Sequence, residues 1–373
     1  LRSFAWLVVG IIGLILVAIF AYDPWSKVVT ADLMTDQRVE SLRSALLSVG
    51  SQLIGISALV FALVTFALQA NLERMPYTLF ARLTSDRLLL FYFGGTFVLS
   101  IGVACLSLVI HSANAATVAL VALWALIVTI TMILLSFKRA LKLVSPAYQL
   151  SRIVGDVRKG FDAWDRRDKL YQPLLASNTP NGEHDAERLA FFAIHGNWTA
   201  EAQQAIHHAS AYVRHYANAG DFEVSGSAVN CLVHINDLYV KVKGKTFFGN
   251  QLFLDTGLST DAVVNATLEQ LRQLAEHGIQ ANNETLAEQA MTGLAALVPV
   301  YCKIDYGRTM PGKTHANLAA GYLNGAVKAA IPKNMADVVM HGTRLLGASG
   351  QQFLAARAPT DMTGVVDDLM FLG

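Results

Sequence analysis

Four stretches of this chain, residues 4–22, 45–69, 88–110 and 115–137, contain no Asp, Glu, Lys or Arg. At about 1.5 Å per residue, each is long enough as a helix to cross the roughly 30 Å hydrocarbon layer of a bilayer. A backbone in lipid must satisfy its own hydrogen bonds, so such stretches fold as helices. Composition agrees: apolar residues make up 53% of the 373 positions and charged residues 15%. Soluble domains carry about a quarter charged residues. The first stretch is too long for the apolar core of a signal peptide, and no small-x-small cleavage site follows it. Only His111 to Asn114 separate the last two stretches, which predicts a tight antiparallel hairpin.

The distribution of Lys and Arg orients the spans. Lys27, Arg38 and Arg43 balance Arg74, Arg82 and Arg87, but Lys138, Arg139, Lys142, Arg152, Arg158 and Lys159 crowd behind the fourth span. Both termini are therefore expected in the cytoplasm, with everything after the fourth span beside them. The net charge of +1 supplies no field that would recruit nucleic acid. Cys105, Cys231 and Cys302 are too far apart for a zinc motif or a disulfide framework.

The second span carries the most ordered pattern. Ser41, Ser44, Ser48, Ser51, Gly55, Ala58, Ala62, Thr65 and Gln69 recur at alternating steps of three and four. Small and hydroxyl side chains on one helix face allow close approach of another membrane helix, from this chain or a copy. The same face could line a pore, although the charged ring typical of a selectivity filter is missing.

Beyond the spans, residues 142–171 place Leu150, Ile153, Val154, Val157, Phe161 and Trp164 at helical spacing among mixed charges, an amphipathic juxtamembrane helix. Residues 172–187 are Pro- and Asn-rich and read as a linker. Residues 188–373 read as a soluble helical domain. Helices are expected from Thr199, over residues 227–242, from an N-cap at Thr260, from an N-cap at Asn283, from Thr314 and from Asn334. Asn283, Thr292 and Leu294 reappear as Asn334, Thr343 and Leu345, an offset of 51 (283 to 334) that hints at helical repeats of the HEAT type.

Candidate chemistry is sparse. Gly307 to Thr314 fits G-x-x-x-x-G-K-[ST], in which Gly307, Gly312, Lys313 and Thr314 would cradle a nucleotide phosphate. A phosphate-binding loop needs a strand before it, whereas the sequence on both sides reads helical; a Pro-Gly turn between helices is the competing reading. His208, Tyr212 and His215 share a helix face, but the two histidines lie about 10.5 Å apart along the axis, too far to share a metal. No catalytic residue, metal or cofactor is expected, and the chain reads as a non-enzyme.

The residues from Leu59 to Gln69, with Arg87-Leu88, Gly95 to Val98 and Ser227 to Leu232, resemble a bacterial family of predicted membrane proteins classed as a domain of unknown function. Met75-Pro76-Tyr77 departs from that family's pattern after the second span. The resemblance implies topology and a bacterial inner membrane, and no site residues. The expected architecture is all-α: a four-helix transmembrane bundle over residues 1–141, followed by a cytoplasmic helical domain. The expected role is an anchor or scaffold subunit of a membrane complex, with a homo-oligomeric channel as the alternative and a membrane-tethered nucleotide-binding protein behind both.

Overall fold

A computed structural model describes residues 36–72, 86–111, 115–175, 191–192, 194–244, 246–247, 261–304, 306, 313–356, 366–367 and 370. The fold is all-α, with no strand among the described residues. It divides into two compact units, Leu1–Ser145 and Pro146–Gly373.

The first unit contains α1 (Asp36–Leu72), α2 (Arg87–Val109) and α3 (Ala115–Val144). All three are long and apolar enough to cross a membrane, over Asp36–Phe66, Arg87–Val109 and Thr117–Val144. The first apolar stretch, residues 4–22, lies outside the described residues. The three helices run alternately up and down. Arg43 near the start of α1 donates to the Ser107 carbonyl near the end of α2 (3.0 Å), and the Phe61 and Phe93 rings meet edge-on further along. At the far end Asp86 caps α2 through the Leu88 and Leu89 N–H groups and pairs with Arg139 of α3 at 2.8 Å.

The interior of this unit mixes apolar side chains such as Leu53, Phe93 and Val103 with hydroxyls. Ser57, Thr96, Ser100, Thr129 and Ser136 are all buried. Thr96, Ser100, Thr129 and Ser136 each donate to a carbonyl three or four residues earlier in their own helix. Gly50 makes the closest crossing: a Cβ there would stand 2.7 Å from the Ala104 backbone nitrogen. Leu59, Phe66, Val98 and Leu108 point outward, as lipid-facing residues should.

The second unit begins with α4 (Pro146–Leu175), followed by α5 (Ala200–Asn218), α6 (Phe222–Lys243), α7 (Ala262–Gln280), α8 (Glu284–Cys302), α9 (Thr314–Ala330) and α10 (Ala336–Ala355). Helix α4 buries Leu150, Ile153, Val157 and Phe161 against α6 and α5, so the amphipathic stretch packs within its own unit. It extends to Leu175, into the stretch read as a linker. The remaining helices form hairpins α5–α6, α7–α8 and α9–α10. Helices α5, α7 and α9 stack in one layer and α6, α8 and α10 in the other.

These hairpins are three copies of one unit. Each inter-helix turn holds one left-handed residue, Gly220, Asn282 or Asn334. The N-caps Asp221, Asn283 and Met335 follow at once. The spacing is 62 residues (220 to 282) and then 52 (282 to 334). In this register the buried positions coincide. First helices align Ala202, Val264 and Ala316, then Ala209, Leu271 and Leu323. Second helices align Leu232, Leu294 and Leu346, then Tyr239, Tyr301 and Phe353, all essentially without solvent exposure. The offset of 51 is thus one residue out: it would match buried Leu294 with half-exposed Leu345. Asn334 supplies the left-handed turn, while Asn283 is a true N-cap that accepts from Leu286 N–H at 3.1 Å. The longer first interval reflects a longer α6 and a longer connection to α7.

Candidate functional site

The ends of four helices in this array meet around a buried polar network. Tyr239 and Lys243 come from the last turns of α6, Asp261 from the N-cap of α7, Tyr301 from the end of α8, and His315 from the first turn of α9. Tyr306, between α8 and α9, completes it. Asp261 is the hub. One carboxylate oxygen accepts the Tyr239 hydroxyl at 3.0 Å and the Lys243 ammonium; the other accepts Nε2–H of His315 at 2.8 Å. Nδ1 of His315 accepts the Tyr306 hydroxyl at 2.6 Å, and the Tyr306 oxygen accepts the His315 backbone N–H at 3.1 Å. These partners fix the neutral tautomer with the proton on Nε2. A second chain runs deeper: Tyr301 donates to Asn236 Oδ1 at 2.7 Å, and Asn236 donates to Thr267 Oγ1 at 2.7 Å.

Aromatic rings seal the network. Tyr306 stacks on His315, Phe247 meets it edge-on, and the Lys243 ammonium lies 4.3 Å from the Phe247 centroid. Burial pushes Lys243 down to about 7. Burial, then the neighbouring Lys243 charge, lowers His315 to about 4. Burial raises the Tyr239 and Tyr301 phenols above their ordinary range.

A carboxylate, an imidazole and a hydroxyl in line resemble a catalytic relay. Here the hydroxyl is a phenol whose oxygen also accepts a backbone N–H, and neither of the larger grooves on this unit is lined by it. The arrangement ties helix ends together. Asp261 stands where the sequence suggested Thr260 as N-cap, and it makes no side-chain cap bond because both its oxygens serve the network. Thr260 lies outside the described residues.

Among the described residues, the surface of this unit carries a small groove of about 210 Å³ between α6, α8 and α10 and two roomier ones. One, of about 560 Å³, lies between α7 and α9, lined by Arg272, Glu276, Asn317, Gly321, Tyr322 and Gly325. Arg272 is clamped by Glu269 at 2.7 Å and by Glu276. The other, of about 490 Å³, lies between α4 and α6, where Arg158 meets His234 at 3.2 Å.

The residues singled out from sequence are distributed differently. On α1, Ser44, Ser48, Ser51, Gly55, Ala58 and Ala62 are exposed and Thr65 half-exposed, while Leu46, Gly50, Leu53, Ser57 and Val64 face α2 and α3. The small-residue stripe therefore does not make the packing seam with these two helices. The side chain of Gln69 lies outside the described residues, as do Gly307 and Gly312. Lys313 donates to the Ile304 carbonyl at 2.8 Å, and Thr314 opens α9. Helix α8 ends at Cys302, so no strand leads into the Gly307–Thr314 run among the described residues. Tyr212 is buried with its hydroxyl on Gln149, apart from metal chemistry. No three His, Cys, Asp or Glu side chains converge on a metal position among the described residues.

Sequence reasoning missed the Asp261 network because its members lie up to 76 residues apart (239 to 315) and form no local motif. The available signal was weak: a Lys, an Asp and a His, each at the edge of an apolar helix. Comparisons with protein-family models, curated proteins and solved structures found no match.

Proposed function

We propose that this protein is a membrane-anchored scaffold whose helical-repeat unit docks a partner on the cytoplasmic side of a bacterial inner membrane. One observation carries the reading: three similar hairpins stack into an array that follows, in the sequence, helices able to cross a membrane. Stacked hairpins build extended surfaces for protein recognition. The only relay-like cluster described above is consumed in holding helix ends together.

The test is the mass and composition of the complex extracted gently from native membranes. A defined assembly containing other proteins supports a scaffold. Recovery of the chain alone, at every protein level, overturns it.

A second reading follows from the exposed stripe on α1. Ser44, Ser48, Ser51, Gly55, Ala58 and Ala62 are segregated from the seam with α2 and α3, which suits contact with further copies around a pore. A closed ring of identical chains, with conductance abolished or altered by Ala62→Asp, would favour this channel. An unchanged current in Ala62→Asp would count against it.

A further inference from the structure

The first helices of the array begin at the intervals that its turns keep. Helices α5, α7 and α9 start at Ala200, Ala262 and Thr314, steps of 62 and 52 residues (200 to 262, 262 to 314). A further step of 52 (314 to 366) reaches Val366, and Val366, Asp367 and Met370 are helical. In this register Phe371 and Leu372 fall where α9 buries Ala319 and Ala320 and α7 buries Thr267 and Leu268. Val366 and Met370 fall where Thr314 and Leu318 are half-exposed. Asp367 and Asp368 replace the buried pair His315 and Ala316. The first turn therefore departs from the repeat, as a terminal unit does, and puts acids where a helix N-terminus favours them.

The last full hairpin is open on its far side. Among the described helices, α10 packs against α8 and α9, whereas α8 has a neighbouring hairpin on each side. Leu354, in the last turn of α10, is 56% exposed; its equivalents are Val240, 7% exposed, and half-buried Cys302. Ile331 is 45% exposed where Ala217 and Ile279 are 3% exposed. A polar group points the same way. Ser210 of α5 donates to Gln270 on the next first helix at 2.7 Å. Asn324, at the same place in α9, keeps a buried carbonyl oxygen with no hydrogen-bond partner among the described residues.

We propose that residues 366–373 are the first helix of a fourth repeat and cap the array, laying Phe371 and Leu372 on α10 beside Leu354. Helix α10 finishes at the end of its hairpin where α9 starts, which is where a fourth first helix must begin. Residues 357–365 span up to about 30 Å when extended, against about 10 Å between the axes of packed helices, so the segment reaches its seat. Stacked repeats need such a terminal unit, because a bare last hairpin offers its apolar edge to any other array. The cap closes that edge and directs a partner to the faces of the layers.

Hydrogen exchange of the full chain in lipid nanodiscs, read by mass spectrometry, tests the cap. Deletion of residues 357–373, and separately the pair Phe371→Asp with Leu372→Asp, should lower protection of a peptide covering residues 346–356 about tenfold or more. Peptides from α5 should keep theirs in both variants. Equal protection of residues 346–356 in all three chains would overturn the proposal, as would equal losses in every peptide. Oxidation of a chain carrying Leu354→Cys and Leu372→Cys identifies which copy supplies the cap. A disulfide between positions 354 and 372 of one chain is the expected product. The same disulfide joining two chains would assign the edge to a second copy and remove the cap as proposed.

Discussion

The two units use the same secondary structure but differ in their surfaces more than in their interiors, since the first also buries Leu46, Leu53, Val64, Phe93 and Val103 beside its hydroxyls. In the first, buried positions include Ser57, Thr96, Ser100, Thr129 and Ser136, while Leu59, Phe66, Val98 and Leu108 stand exposed. In the second, Leu232, Leu271, Leu294, Leu346 and Phe353 are fully buried. The difference is a difference of solvent. Lipid tails give leucine no reason to leave the surface, so membrane helices associate through small side chains and close backbones. Water drives leucine inward, so the repeat array is held by apolar burial at about 25 cal/mol per Å². Each unit also contains an ion pair with a buried carboxylate close to helix ends, Asp86–Arg139 in the first and Asp261–Lys243 in the second.

The sharpest way to break the comparison is to remove the hub of the second unit's network. Asp261→Ala leaves the Lys243 ammonium buried without its carboxylate and should cost about 3–5 kcal/mol at pH 6, read from guanidinium unfolding of the repeat unit's signal. The penalty should shrink at pH 9, because a lysine already lowered to about 7 then enters the fold neutral. An equal loss at both pH values would mean that Asp261 acts through packing and not through charge.

The repeat register offers the next test. Leu294→Ala and Leu346→Ala remove equivalent buried side chains and should each cost about 2–5 kcal/mol. Leu345→Ala, the position that the offset of 51 would have matched, should cost about 1 kcal/mol. If Leu345→Ala proved as costly as Leu346→Ala, the register of 52 would be wrong.

These cases mark what could be read in advance. The all-α class and the apolar helices at 45–69, 88–110 and 115–137 were legible because charge-free length is a direct constraint of the bilayer. Helix starts were legible where a side chain caps its own helix, as at Asn283. They were not where the cap residue serves a distant partner, as at Asp261. The repeat was glimpsed through Asn and Thr identities, but its true register is carried by burial and by one left-handed residue per turn. Gly220, Asn282 and Asn334 do that job with different side chains, so sequence identity cannot align them. The stripe on α1 is legible as a pattern, but small residues at a helix face do not state which helix they meet, in this chain or in a copy.

In the membrane unit, a side chain at Gly50 should matter more than any on the stripe. Gly50→Ile would push a branched side chain into the Ala104 backbone and separate α1 from α2, costing about 1–3 kcal/mol in a detergent unfolding assay. A change below about 0.5 kcal/mol would show that α1 can rotate to another packing face, and the close crossing at Gly50 would lose its support.

The smallest expected effect is the most informative about assembly. Ser51 is exposed on α1, and its hydroxyl is satisfied within its own helix by the Ser48 carbonyl at 2.8 Å. For the isolated chain, Ser51→Ala should therefore change stability by no more than about 0.5 kcal/mol. Gly55 is also exposed, and a Cβ built on it meets nothing within 4 Å. Gly55→Leu should likewise leave the fold of a single chain intact. If the stripe contacts a second copy, the same substitution should abolish the assembly seen by native mass measurement while α1, α2 and α3 keep their unfolding midpoint. Loss of that midpoint together with the assembly would instead identify a contact within one chain, with residues 4–22 as the segment to test by cysteine crosslinking to position 55. The two units would then differ in how they finish their surfaces as well as in their interiors: one by covering a small-residue face with another membrane helix, the other by ending an array of hairpins in water.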